Sequence, residues 1–162
     1  MRAAANPEYQ ALDIRQLSPG EAKKGAARDL TDKWFALFAD GRFDDLGALI
    51  AGNAEIVMPG GMRFRGFGEL RPMLEAYRNG FPDLRHETVA AVETGDSIGV
   101  ELKIVMTHTG PFVTPVGELP PTGRTVTFDG CDVVRLGLNG TITSWHSYFD
   151  QASFMAQLGV GS

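Results

Sequence analysis

The chain has 162 residues, 43% of them hydrophobic and 22% charged, which is enough for one domain burying roughly two-thirds of its unfolded surface and too little for two of ordinary size. A formal net charge of -5, with no run of Lys or Arg longer than two, excludes a phosphate-tracking surface for nucleic acid, and a single cysteine, Cys131, excludes an internal disulfide or a Cys-rich metal site. No apolar run approaches the ~18 residues of a membrane span and the N-terminus lacks the apolar core of a secretory signal, so the expectation is a soluble, cytoplasmic protein with no membrane or nucleic-acid partner.

Residues 1–17 carry no clear period and read as an N-terminal extension to a single domain over 18–162. At Ser18-Pro19-Gly20-Glu21 a capping box with proline at the first helical position marks a helix start. Leu30, Trp34, Leu37 and Phe38 recur at helical spacing until Asp40-Gly41, and Phe43, Leu46, Leu49 and Ile50 form a shorter amphipathic segment ending at Gly52. A short strand over Ala54 to Met58 stops at Pro59-Gly60-Gly61, with Met62 to Arg65 as its hairpin partner or a bent continuation. A third helix over Phe67 to Asn79 presents Leu70, Met73, Leu74 and Tyr77 on one side, with Pro72 near its start.

From Leu84 onward, turn signals at Thr94-Gly95-Asp96, Gly110-Pro111, Pro120 to Gly123 and Leu138-Asn139-Gly140 divide four strands. Helices first and consecutive strands after give an α+β class, with helices packed on one face of a curved, mixed or antiparallel sheet. Alternation puts Ile98, Val100, Leu102, Ile104, Met106 and His108 on the core side of one strand. In the strand over Thr125 to Leu136, Asp132 shares its face with Val126, Phe128, Gly130, Val134 and Leu136, an acid on an apolar side. The last strand has aromatic content on both faces, and periodicity leaves its orientation open.

Four short motifs in a fixed order, Gly80-Phe81-Pro82-Asp83-Leu84, Thr107-His108-Thr109-Gly110-Pro111-Phe112, Pro120-Pro121-Thr122-Gly123-Arg124 and the ending from Asp150-Gln151 to Gln157-Leu158-Gly159, resemble the SnoaL-like polyketide cyclase family of the nuclear transport factor 2-like superfamily. The resemblance covers residues 25–159. It implies a cone-shaped α+β barrel with a small-molecule pocket between sheet and helices, commonly dimeric. In the cyclases an aspartate on the last strand is the acid/base; if Asp150 is the aspartate that follows it, the catalytic position falls on Ser147, and the assisting histidine falls on Val134. Both cyclase side chains are therefore replaced. The chain also carries an insertion around Thr114 to Glu118.

With Ser147 inward by this resemblance, Trp145 and Phe149 face the pocket while His146 and Tyr148 lie on the opposite face or at the strand end. His108 and Asp132 are then the ionisable side chains that alternation places on inward faces, and they form a candidate catalytic pair for cofactor-free proton transfer. The same two residues also read as structural, Asp132 accepting from the backbone or Trp145 and His108 capping its strand. Trp34, Met58, Phe64, Tyr77, Met106, Trp145, Ser147 and Phe149 are candidate substrate-binding residues, and Asp150 is the expected N-cap of a terminal helix. The histidines have no ligand spacing and no Gly-x-Gly-x-x-Gly follows a strand, so neither a metal nor a nucleotide cofactor is expected. Two functions are consistent with this: a cyclase, isomerase, hydratase or dehydratase acting on an apolar, polyketide-like ring as a homodimer, or a non-catalytic ligand-binding protein on the same fold.

Overall fold

The computed structural model describes residues 26–114 and 117–160, so the extension at 1–17, the capping box at Ser18 to Glu21 and the middle of the Thr114–Glu118 insertion lie outside the described residues. Helix α1 runs Ala26–Ala39 and buries Leu37 and Phe38, with Trp34 half-buried on the same side. It stops where predicted. Gly41 takes the left-handed conformation at φ 68°, and the bonds Gly41 N–H to Phe38 O (3.0 Å) and Arg42 N–H to Leu37 O (2.9 Å) close the end.

Helix α2, Phe43–Ala48, is shorter than its hydrophobic period predicts. Ile50 is instead the first residue of strand β1, Ile50–Met58, because its backbone pairs with Ile142 of the last strand, and sheet pairing outweighs continuation of a weak helix. One 3₁₀ turn over Pro59–Gly61 leads into β2, Met62–Arg65, antiparallel to β1. Helix α3 spans Gly66–Gly80 and buries Leu70 and Leu74. Pro72 lies more than a turn inside it rather than near its start, and the helix continues past the lost backbone donor.

The remaining elements are β3 (Arg85–Thr94), β4 (Ser97–Thr107), a small separate hairpin of β5 (Phe112–Thr114) and β6 (Gly117–Leu119), β7 (Thr125–Leu136), β8 (Ile142–Phe149) and helix α4 (Gln151–Leu158). The main sheet has the order β2-β1-β8-β7-β4-β3, parallel only between β1 and β8. The α+β class is as expected. Ile98, Val100, Leu102, Ile104 and Met106 are all buried on the inner face of β4, as alternation requires, beneath the helices. Asp150 caps α4 through a bond from Ser153 N–H at 2.9 Å, and the Gln157 amide pairs with both backbone groups of Thr127 at 3.0 Å, fixing α4 across β7.

Candidate functional site

The antiparallel register of β7 and β8 sets Asp132 directly opposite Ser147, and Val134 opposite Trp145. That pairing settles the orientation of β8: Trp145, Ser147 and Phe149 face the same way as Asp132, toward the helices. Together with α1, α3 and the turn after β1 they enclose a cavity of about 120 Å³. Trp34, Phe35 and Phe38 supply one wall, Met73, Leu74 and Tyr77 another, and Leu102, Ile104, Met106, Phe128 and Gly130 the sheet floor. Met58, Pro59, Met62, Leu84 and Gln151 complete it.

Of the residues expected at the site, Asp132, Trp34, Met58, Tyr77, Met106, Trp145, Ser147 and Phe149 line this cavity. Phe64 does not. It stands opposite Ile56 on the edge strand β2 and packs against the core from there.

His108 is also absent from the wall, and the expected pairing with Asp132 is not formed. In the β4–β7 ladder Asp132 faces Val100, whereas His108 exchanges backbone bonds with Arg124 and Gly123 just before β7 begins. Eight residues separate Arg124 from Asp132 along that strand, roughly 26 Å at about 3.3 Å per residue. The right faces were read, but not the register. His108 is fully buried among Phe81, Phe112 and the Pro120–Arg124 loop. Its Nδ1 accepts from Thr122 N–H at 3.2 Å and lies 3.0 Å from Thr122 Oγ1, so the ring is neutral with its proton on Nε2. Burial lowers its pKa, with the Gly110 backbone opposing to a smaller extent. This is a strand cap.

Among the described residues Asp132 is the one Asp, Glu, His, Lys or Arg side chain on the cavity wall. Burial pushes its pKa up from 3.8 to about 6; the Ser147 hydroxyl and then the Trp145 indole pull it partly back. Trp145 Nε1 nevertheless falls short of full hydrogen-bond geometry, and Trp34 Nε1, also buried, has no partner among the described residues. Tyr77 is raised to about 12 by burial, so its hydroxyl keeps its proton. The wall thus offers one carboxyl poised near neutrality, hydroxyls and an amide, within aromatic and methionine surface.

Phe35, Phe38, Phe128 and Gln151 also line the wall and were not among the expected site residues. Phe128 carried a usable signal, sharing the face of Asp132 two pleats away. The seat of Phe35 carried none: its ring stacks on His86 (4.0 Å, 11°), and His86 Nε2 in turn meets Asp32 Oδ1 at 2.9 Å, a tie between α1 and β3 that spacing cannot reveal. Among the described residues no group of three His, Cys, Asp or Glu side chains stands close enough to hold a metal.

Among solved structures the chain is similar to IdmH of Streptomyces antibioticus, a polyketide cyclase candidate, at 26% identity and TM-score 0.67, over 83% of this chain and 99% of that one. A SnoaL-like polyketide cyclase candidate from Jannaschia sp. matches at 17% identity and TM-score 0.72 (84% and 93% covered), and AclR of Streptomyces galilaeus, a hydroxylase candidate, at 16% and 0.68 (82% and 95%). The fold is that of the nuclear transport factor 2-like proteins. A comparison with curated protein sequences finds no match. The family model of the SnoaL-like polyketide cyclases matches residues 28–158, and the chain belongs to that family.

Proposed function

We propose that the protein is a cofactor-independent acid/base enzyme that moves a proton on a small apolar ring compound, polyketide-like in character, with Asp132 as the catalytic group. The observation that carries this is the placement of one carboxyl, Asp132, among the described residues of a largely apolar cavity wall, where burial pushes its pKa up to about 6. A general base works best when its pKa lies near the working pH, and Asp132 is ionised at neutrality yet still basic enough to take a proton next to a carbonyl. The protonated Tyr77 hydroxyl, Ser147 and Gln151 supply hydrogens for the oxygen on which charge develops. With no Lys, Arg or His on the wall among the described residues, an anionic ligand finds no counter-charge there, which favours neutral substrates. Cyclisation, isomerisation, hydration and dehydration are all reactions that one such carboxyl serves by proton transfer.

The acid stands on β7, directly across from Ser147 of β8, the position that the resemblance to the cyclases gives to their acid/base aspartate if Asp150 is the aspartate that follows it. The carboxyl is displaced by one strand. Its reach over the ligand is displaced with it, and a substrate different from that of the aromatic polyketide cyclases follows. The test uses α-tetralone, a neutral bicyclic ketone, in deuterated water. The protein should accelerate exchange of the proton beside the carbonyl, and Asp132→Asn should reduce that acceleration by about 10²- to 10⁴-fold while the cavity still binds the ketone. Exchange undiminished in the folded variant overturns the assignment.

A second reading, a ligand-binding protein without turnover, draws on the separation of His108 from Asp132, which leaves the acid without a second ionisable partner other than Tyr77 on the cavity wall. Binding of the ketone with no exchange above background would select it. We further assign the working unit as a homodimer formed through the outer sheet face, and place it in the cytoplasm, in accord with the exposed, unpaired Cys131.

A further inference from the structure

Behind the main cavity a second chamber of about 30 Å³ lies between α1 and the sheet. Trp34, Phe35, Asp132 and Trp145 line both spaces and so form the partition between them. The rest of the chamber wall among the described residues is apolar except for Thr31 on α1. We propose that this second chamber is a water site, in which an ordered water accepts from the Trp34 indole N–H and donates to the Asp132 carboxylate on the side away from the ligand.

Three observations converge on it. The chamber exceeds the roughly 10–15 Å³ that one water requires. Its wall holds a carboxylate, a hydroxyl and two indoles, enough for the two to four polar partners a buried water takes. Trp34 Nε1 is buried and has no acceptor among the described residues. Buried donors of this kind are satisfied in nearly all proteins, and a water in this chamber meets both the donor and the acid.

The site gives Asp132 two sides. One faces the ligand across the main cavity, and the other is solvated from the second chamber, which keeps a buried carboxyl ionisable where an all-apolar backing would hold it neutral. The role of the water in turnover rests on Asp132 being the acid/base group; its presence does not, and it is read without any substrate. Among the described residues no other Asp or Glu lines either space, so the assigned Asp132 signal in a carboxyl titration reports on this site.

The experiment combines a crystal structure at about 1.5 Å resolution with a carbon-13 carboxyl titration of the wild type, Trp34→Phe, Val134→Ile and Val100→Ile. The wild type should show an ordered water within hydrogen-bond distance of Asp132 in the second chamber. Trp34→Phe removes the donor and keeps an aromatic ring; each Ile adds a methylene to the chamber wall. In each variant the water should be lost and the affinity of Asp132 for its proton should rise at least tenfold, one pKa unit. Three side-chain routes keep the test alive should one variant fail to fold. A chamber free of ordered water in the wild type, or an Asp132 titration that folded variants leave unmoved, overturns the proposal. Loss of α-tetralone exchange in Asp132→Asn bears on the catalytic reading alone.

Discussion

At the scale of single residues, Asp132 is an acid whose burial costs stability. Its folded pKa of about 6 stands above the ordinary 3.8, so the folded state holds a proton that the unfolded chain has already released between about pH 4 and pH 6. Stability from this group is therefore present below that window and lost as pH rises through it, on the order of 3 kcal/mol for a shift of this size. Asp132→Asn carries no charge at any pH. It should unfold at higher denaturant concentration than the wild type at pH 8, by about 2–3 kcal/mol, and the difference should vanish by about pH 4. Denaturant titrations at the two pH values check this, and a variant less stable than wild type at pH 8 would show the carboxylate to be held by structural bonds. His108 works with the opposite sign. Its depressed pKa gives stability that is present at neutral pH and lost as pH falls below the ordinary histidine value, so wild-type stability passes through competing slopes in the same region.

At the scale of elements, what was legible in the sequence is what a periodic face encodes. Ile98 to Met106 on β4 and Leu70, Leu74 and Tyr77 on α3 follow from period two and period 3.6, and Asp40-Gly41 and Asp150 announce their helix ends through turn and cap chemistry. Where strands sit beside one another is not encoded in any one of them. Asp132 and His108 lie on correctly read inward faces, yet the β4–β7 register sets them at opposite ends, and the β7–β8 register, through Asp132 opposite Ser147, orients a β8 whose own pattern is ambiguous. Ile50 fits a helical period and pairs with Ile142 instead, and Phe64 fits an inward strand face but lies on the edge, beyond the cavity. His108 in turn ties the Pro120–Arg124 loop to the end of β4. His108→Ala removes the acceptor of Thr122 N–H and opens space beside Phe81 and Phe112, which should cost about 2–4 kcal/mol. α-Tetralone binding, measured below the unfolding transition, should remain within a few-fold of wild type, because the cavity floor lies elsewhere; loss of binding in the folded variant would return His108 to the site.

At the scale of the whole molecule the sheet has two faces with different occupants. Helices and cavity take the inner one, while on the outer one Val57, His146, Val133, Gly99 and Val92 stand side by side across β1, β8, β7, β4 and β3. Val133 is 41% and Val92 71% exposed, and Tyr148, 54% exposed, adds its ring one pleat away with its hydroxyl 3.5 Å from His146 Nδ1. Polar pairs flank this stripe: Ser144 and Arg135 on one side, Lys103 and Asp129 on the other. A band of this shape is complementary to itself under a two-fold axis, since apolar centres meet while charged margins stay wet, and a closed two-fold contact needs no second surface. Sedimentation at micromolar concentration should give twice the chain mass. Val133→Asp sets a like charge against its own copy at the centre of the stripe and should yield a monomer. Because Val133 points away from the cavity, that monomer should keep the α-tetralone exchange of the parent within a few-fold; a wild-type chain that sediments as a monomer, or a variant that remains a dimer, moves the interface off this face.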